Sequence, residues 1–478
     1  MNNKSVYKIM VVFMGKDNLS AGWPYKSFNL KKQIKTIKNE LEEIKPRLSA
    51  NFEFFGWKLI DNNIDVFNAY SLMGKADGLI IVPLNAEFAS LGPDIGKLCE
   101  MELPAIIYTK PFSTYYDGYA GLRASGVKVL SVSSSEPNDL IEPLNAIKTI
   151  ADLKLLRLLV VRDLEHNNAK YDPRMYEPRW IGPAYQRLLK QIFGMTIEFA
   201  TFKELISYYD KIEDSQTQAE YKKFLEGSAG IKEPSKKDIF KAVKMYLAVK
   251  RLMEAKNTNG FTIDCLSSIK ENKLPAIPCL AISRFNDMGF PSACEGDIDT
   301  VISNAISLYL TGHPGFQSDP VIDISKKQVI SAHCIMSTCF DGKQYNPYYF
   351  RTHTETHKGV GLEVEFKANK PVTLFRIIGT GTTLYNRFPK LTIKDTFDSY
   401  NMLAYESETV EHDYKNSEWG CRTKIAIKLP EDVLENFQEN FFGFHIFVVY
   451  GHHQKKLKML AKLLGLSFYN KMHLPIVK

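Results

Sequence analysis

No stretch of the 478 residues approaches the roughly 20 uncharged apolar positions that a membrane-spanning helix needs. The opening MNNKSVYKIMVVFMGKD has neither a long apolar run nor a small-residue cleavage site, so the sequence predicts a soluble cytoplasmic protein. The seven cysteines form no CxxC pair, which removes a disulfide framework and a zinc knuckle and points to reduced thiols. Lysine and arginine (61) only slightly exceed aspartate and glutamate (54), and the net +7 is interleaved with acids rather than gathered in a stripe. A nucleic-acid partner is therefore not expected, and neither is a membrane. No glycine fingerprint follows the first strand-like run, and GTGTT at 379–383 is too short to be one. That counts against a dinucleotide-dependent oxidoreductase. Histidine is almost missing from the first two thirds: nine of ten (His313, His333, His353, His357, His412, His445, His452, His453, His473) follow residue 312, so any imidazole chemistry is C-terminal.

What is present is ordinary globular material, 45% hydrophobic, 12% aromatic and 24% charged, enough for several cores. KIMVVF (8–13), NFEFFGWKL (51–59), KADGLIIVPL (75–84), ELPAIIYT (102–109) and VKVLSV (127–132) are strand-like runs separated by helical stretches. Continuous apolar strands in that arrangement predict a parallel sheet covered on both faces. The pattern restarts at LKLLRLLVV (153–161) and continues through a helical AYQRLLKQIFG (184–194), a strand-like MTIEFAT (195–201), a charged helical region over 210–256 broken at GSAGIKEPS, and PAIPCLAIS (275–283), which reads as a buried strand. After residue 312 short strand-like runs (HKGVGLEVEF, PVTLFRI, CRTKIAIKL, FFGFHIFVVYG) dominate. The predicted fold is α/β: two tandem doubly wound, Rossmann-like domains (1–153 and 154–312) followed by a C-terminal antiparallel β-rich domain or small barrel (313–478).

The segment 276–334 carries the most specific pattern. Asp297 or Asp299 opens a helix whose apolar positions Ile298, Ile302, Ala305, Ile306 and Leu310 recur at helical spacing, with Gly312 and Pro314 as stop signals. Glu295 then lies in the loop between a strand end and a helix, where open α/β sheets place ligands; alone, it could equally serve the helix N-terminus electrostatically. VIDISKKQVI reads as a hairpin, and with its turn centred on Lys326, Asp319 and His333 face each other with Cβ atoms about 5 Å apart. An Asp-Pro turn and a hydrogen-bonded strand histidine explain the same residues without a ligand. His445 shares a strand face with Phe441, Gly443, Phe447 and Val449, so it is a third candidate or a satisfied core histidine. Arg351, His353 and Lys358, in and around RTHTETHKGVG, are candidates for contact with a polar or anionic substrate group or, singly, a solvated strand end. Two carboxylates with one or two imidazoles and no thiolate suit Mn²⁺ or Mg²⁺, and less readily Fe, Co or Zn. Such a site polarises a carbonyl and its neighbouring hydroxyl while carboxylates move protons, as aldose–ketose interconversion requires. A sugar-binding or regulatory module without catalysis is the competing class.

ACEGDIDT (293–300), YLTGHPGFQSDP (309–320), AHC (332–334) and HIFVVYG (445–451) resemble the L-fucose isomerase and L-arabinose isomerase superfamily, with the likeness closest to its fucose-isomerase-like members. The resemblance implies two α/β domains and a β-rich C-terminal domain. It also implies an Mn²⁺-dependent aldose–ketose isomerase, with Mg²⁺ or Co²⁺ as alternatives, that works through an enediol. By motif position it makes Glu295 and Asp319 both ligands and acid/base groups and His445 a ligand, while the arabinose branch adds His333. Ser318 stands where that branch has a glutamate, which favours the fucose-like arrangement and leaves Asp319 as the carboxylate. The substrate so implied is a neutral or sulfonated sugar, such as sulfoquinovose. The assembly implied is a homo-oligomer with sites near subunit interfaces, to which STYYDGYAG (113–121) is a candidate contributor.

Overall fold

The computed structural model describes residues 4–17, 22–25, 28–61, 63–85, 92–99, 102–113, 122, 126–163, 183–379, 400–415, 417–440, 445–470 and 472. Most of GTGTT and STYYDGYAG, and Phe441 and Gly443, lie outside the described residues. The fold is mixed α/β, with parallel sheets in the first part and an antiparallel β-rich region beyond residue 312. Among the described residues no helix is long and apolar enough to cross a membrane. The chain forms two compact units.

One unit comprises 3–152 together with 455–467. Its strands β1 (Tyr7–Met14), β2 (Phe52–Ile60), β3 (Gly78–Pro83), β4 (Ala105–Thr109) and β5 (Val129–Ser133) pair in the order β2-β1-β3-β4-β5, all parallel. All of β3 and β4 and nearly all of β1 are buried, the continuous apolar pattern of strands covered on both sides. The helix Leu30–Ile44 buries Leu30, Ile37, Leu41 and Ile44, one stripe at helical spacing, and its N-cap Asn29 accepts from the Lys32 N–H.

The other unit holds 153–454 and 468–478. Its first sheet orders β10 (Ser292–Ala293), β9 (Gly260–Ile263), β6 (Arg157–Val161) and β7 (Thr196–Ala200), again all parallel. Between them β8 (Gly230–Ile231) leaves for a small sheet described below. One sequence expectation fails here: PAIPCLAIS is not a strand, because Cys279–Asp287 is a helix whose residues Cys279 to Ser283, Phe285 and Asn286 are buried. A short apolar run fits a buried helix as well as a strand. Pro278 at its N-cap and the scarcity of β-branched residues (Ile282 alone in CLAISRF) favoured the helix. The strand ends that feed the Glu295 loop are instead β9 and β10.

Beyond residue 312 come β11 (Phe316–Asp323), β12 (Gln328–His333), β13 (Tyr348–Arg351), β14 (Gly361–Val364), β15 (Pro371–Gly379), β16 (Tyr400–Val410), β17 (Thr423–Lys428) and β18 (Ile446–Tyr450). β13 pairs antiparallel with β14 and parallel with β8. In the larger sheet the antiparallel pairings run β15-β18-β11-β12-β17-β16 and return from β16 to β15, a closed ring of six strands. One hydrophobic core continues from Leu159, Ile239, Leu252 and Phe285 into Phe316, Val329, Ile425 and Ile446, so this ring and the second parallel sheet share an interior.

The β11–β12 register corrects the expected hairpin. Asp319 pairs with Ala332, and Asp323 with Gln328, one residue from the predicted alignment, so Asp319 and His333 are not opposed. The cause is the turn: the Asp323 carboxylate accepts from the Lys326 N–H and the Ser325 hydroxyl, and Lys327 takes φ 52°, closing a four-residue loop over 324–327. A one-residue shift exchanges the faces of a strand.

Gly315 precedes β11 where it meets β18, and a Cβ there would lie 1.9 Å from the ring of Phe447, itself 2% exposed. Gly315→Ala is expected to lower stability by about 1–3 kcal/mol, because a packed ring must move. The urea midpoint of the variant measures it.

Candidate metal centre

The site is built where the second parallel sheet meets the antiparallel ring. Glu295 and Gly296 follow β10 with φ 62° and 68°. Two successive left-handed residues turn the chain sharply before the helix Ile298–Thr311. A left-handed glutamate is costly, and such strain gathers at functional positions. Asp297 is the helix N-cap, with one carboxylate oxygen accepting from the Thr300 N–H at 2.9 Å. Its other oxygen lies 2.8 Å from His445 Nδ1 and 3.3 Å from Arg376 Nη2, and all three side chains are at most 1% exposed. Arg376 also donates to the His445 carbonyl. Gln317 of β11 accepts from the Cys294 N–H at 2.7 Å, and its Nε2 stands 3.1 and 3.2 Å from the two His445 ring nitrogens. Near-equal distances to both nitrogens put that amide over the ring face.

These contacts leave His445 Nε2 turned toward the other candidates, 3.4 Å from Glu295 Oε2 and 3.7 Å from Asp319 Oδ1. His333, at the end of β12, brings Nε2 to 3.6 Å from Glu295 Oε1. One donor atom each from Glu295, His333 and His445 lies within 4.8 Å of the others, while Asp319 joins from the side with its carboxylate 44% exposed. Separations of 3.4–3.7 Å are too long for hydrogen bonds. They suit an ion between the groups, because ligands about 2.1 Å from a common ion stand roughly 3 Å or more apart. The donor set is carboxylate oxygen and imidazole nitrogen without thiolate, which fits a hard or borderline divalent cation. All seven cysteines are free thiols.

The charges are divided unequally. Burial works to raise the Glu295 carboxyl, but His445 and His333 overcome it and hold the group far below the usual carboxylate range. Partial burial, with Glu295 and Glu355 close by, pushes Asp319 the opposite way, above its ordinary value. Burial disfavours a charged His445, yet Glu295 and Asp297 raise it to about 10. In the metal-free chain this imidazolium contributes stability that is complete below the unfolded pKa near 6.5 and is lost as pH rises toward 10. The urea midpoint of metal-free protein is therefore expected to fall between pH 7 and pH 9.5, and His445→Gln to flatten that fall.

The three expected substrate contacts lie farther out. The Arg351 guanidinium meets Glu233 at 2.6 Å, Glu418 at 3.0 Å and Glu363. His353 is buried, its Nδ1 3.1 Å from Glu355 Oε2. Glu355 in turn is 3.9 Å from the Cys421 thiol, which is 3.9 Å from Asp319, so His353 adjoins the Asp319 side of the cluster. Lys358 lines a different cavity with Asp238, Lys241 and Ile277. Sequence reading missed Gln317, Arg376 and the second role of Asp297. EGDID holds more carboxylates than a helix cap uses, and Gln317 shares a strand face with Asp319; nothing local marks Arg376.

Residues 188–311 match the family described as the L-arabinose isomerase central domain. A sulfoquinovose isomerase from Priestia megaterium is 21% identical over 69% of this chain and 67% of that one. One from Clostridium sp. is 23% identical over 60% of each chain. L-arabinose isomerase 1 from Clostridium acetobutylicum is 24% identical over 30% of each. The chain is thus similar, at low identity, to proteins named sulfoquinovose isomerase and L-arabinose isomerase, and its family match is confined to 188–311.

Proposed function

We propose that this protein is a divalent-metal-dependent aldose–ketose isomerase that converts a free monosaccharide, of the fucose or arabinose type or a sulfonated sugar such as sulfoquinovose, by proton transfer through an enediol. The observation that carries the reading is the convergence of Glu295 and Asp319 on His445 Nε2, at 3.4 and 3.7 Å, with His333 beside them 3.6 Å from Glu295. Glu295, Asp319 and His445 would hold the ion, Mn²⁺ by preference and Mg²⁺ or Co²⁺ as substitutes. When bound, that ion polarises the sugar carbonyl and adjacent hydroxyl and makes the intervening C–H acidic.

The chain's own groups divide the proton work by their opposite shifts. Glu295, kept ionised by two imidazoles, takes the proton from the carbon beside the carbonyl and returns it to the former carbonyl carbon of the enediol. Asp319, which keeps its proton to higher pH, gives one to the carbonyl oxygen and receives one back from the neighbouring hydroxyl. His353 lies toward the sugar on the Asp319 side. We assign the first catalytic carboxylate to a middle domain (154–312) and the remaining ligands to a C-terminal domain (313–478), with 1–153 as an N-terminal α/β domain. The protein would work in the cytoplasm as a homo-oligomer with sites near its subunit interfaces.

The test is to strip the protein with chelator, restore Mn²⁺, Mg²⁺ or Co²⁺ separately, and follow ketose formation from L-arabinose, L-fucose and sulfoquinovose. Turnover that vanishes with the metal and returns with Mn²⁺ supports the proposal. Tight sugar binding with no turnover under any metal would instead identify a non-catalytic module.

A further inference from the structure

The two histidines of the cluster face it with the same ring atom but hold their other nitrogen in opposite ways. A neutral imidazole has one N–H and one lone pair, and the partner of one nitrogen decides which the other presents. For His445 the partner of Nδ1 is the buried Asp297 carboxylate at 2.8 Å, which only accepts. Once the ring has given up its second proton, as a metal ligand must, Nδ1 keeps the one that remains and the Nε2 lone pair faces Glu295 and Asp319, the arrangement by which outer carboxylates orient metal-binding histidines. For His333 the partner of Nδ1 is the Cys334 backbone N–H at 2.9 Å, which only donates. Nδ1 supplies the lone pair, and the single proton is on Nε2. Turning the ring over would strip a buried backbone N–H of this acceptor, a state that folded chains avoid.

From this we infer that His333 is not a ligand of the ion but a hydrogen-bond donor, offering Nε2–H to a carbonyl or hydroxyl oxygen of an open-chain sugar, and that His445 is the imidazole ligand. The inference rests on the isomerase reading and sharpens it. His333 is 4% exposed, and its buried Nε2 has no hydrogen-bond partner among the described residues. Its neighbour across the cluster, Glu295 Oε1 at 3.6 Å, is beyond hydrogen-bond range. A buried donor aimed into a cluster and left unsatisfied is matched by an oxygen that arrives with substrate. An uncharged sugar oxygen meets that requirement, whereas a cation does not, because the proton occupies the position a metal would need.

The experiment measures Mn²⁺ affinity of metal-free protein by calorimetry, beside steady-state kinetics of the restored enzyme on the sugar that the substrate panel selects. The variants are His333→Phe, His333→Gln and His445→Gln, each checked for its unfolding midpoint. His333→Phe should bind Mn²⁺ within about threefold of the parent and lose about 10²-fold in kcat/KM, the usual scale for one removed donor. His333→Gln, which restores an N–H at a similar reach, should recover at least about tenfold of that loss. His445→Gln should lose Mn²⁺ affinity by about 10²-fold or more. If His333→Phe, or His333→Gln should the former not fold, weakens Mn²⁺ as severely as His445→Gln does, His333 is a ligand and the inference fails while the isomerase reading stands. If the parent neither binds Mn²⁺ nor isomerises any sugar of the panel, both fall together.

Discussion

Glu295→Gln and Asp319→Asn are each expected to lower kcat by about 10³-fold or more while the protein stays folded. Positioned proton transfer accounts for 10² to 10⁴ in rate, and each of these carboxylates is also assigned to the ion, so one substitution removes both contributions. Folding should tolerate both changes because neither side chain supports the core: Glu295 projects from a loop at 23% exposure and Asp319 is 44% exposed. The two variants should differ in one respect. Glu295 sits between two imidazoles, so its amide should weaken Mn²⁺ more than that of Asp319, which touches only the edge of the cluster. Kinetics on the selected sugar and calorimetric Mn²⁺ titration read the two effects separately. Turnover near the parent rate in either variant would remove that residue from the assignment.

Asp297→Ala should cost about 3–5 kcal/mol of stability, the range for breaking a buried ion pair from one side. The carboxylate is fully buried against Arg376 and His445, neither of which can reach water once it is gone, and the helix Ile298–Thr311 also loses its N-cap. Urea unfolding of the metal-free chain measures the loss; a change below about 1 kcal/mol would mean that Arg376 finds another partner. Asp297→Asn isolates a second consequence. With the amide oxygen still capping Thr300, its NH₂ faces His445 Nδ1 and donates where the carboxylate accepted. The proton of His445 then moves to Nε2, so Mn²⁺ affinity should fall by about 10- to 100-fold in a chain that still folds.

Some of this architecture is legible residue by residue. IMVVF, GLIIVP and AIIY are apolar throughout because strands covered on both faces have no solvent side, and each became part of a parallel strand. The helix after Glu295 is announced by its Asp297 cap and its Gly312 stop, the latter in the left-handed conformation. CLAISRF was misread because burial on all sides erases the periodicity that separates a helix from a strand. The hairpin missed by one residue because Asp323 organised a longer turn than the spacing suggested.

The amino-acid order by itself determined that the chain builds parallel sheets followed by antiparallel strands, and it offered Glu295, Asp319, His333 and His445 as candidates that the fold brings close together. Local propensity and burial pattern act over a few residues, and that information is written there. Only the tertiary structure decided how those side chains are held. Asp297 and His445 are 148 positions apart, and Arg376 reaches Asp297 from a strand 79 positions away. The hydrogen-bond partners that orient each imidazole ring come from separate strands and a helix cap. They exist only once the ring of strands has closed on the second parallel sheet.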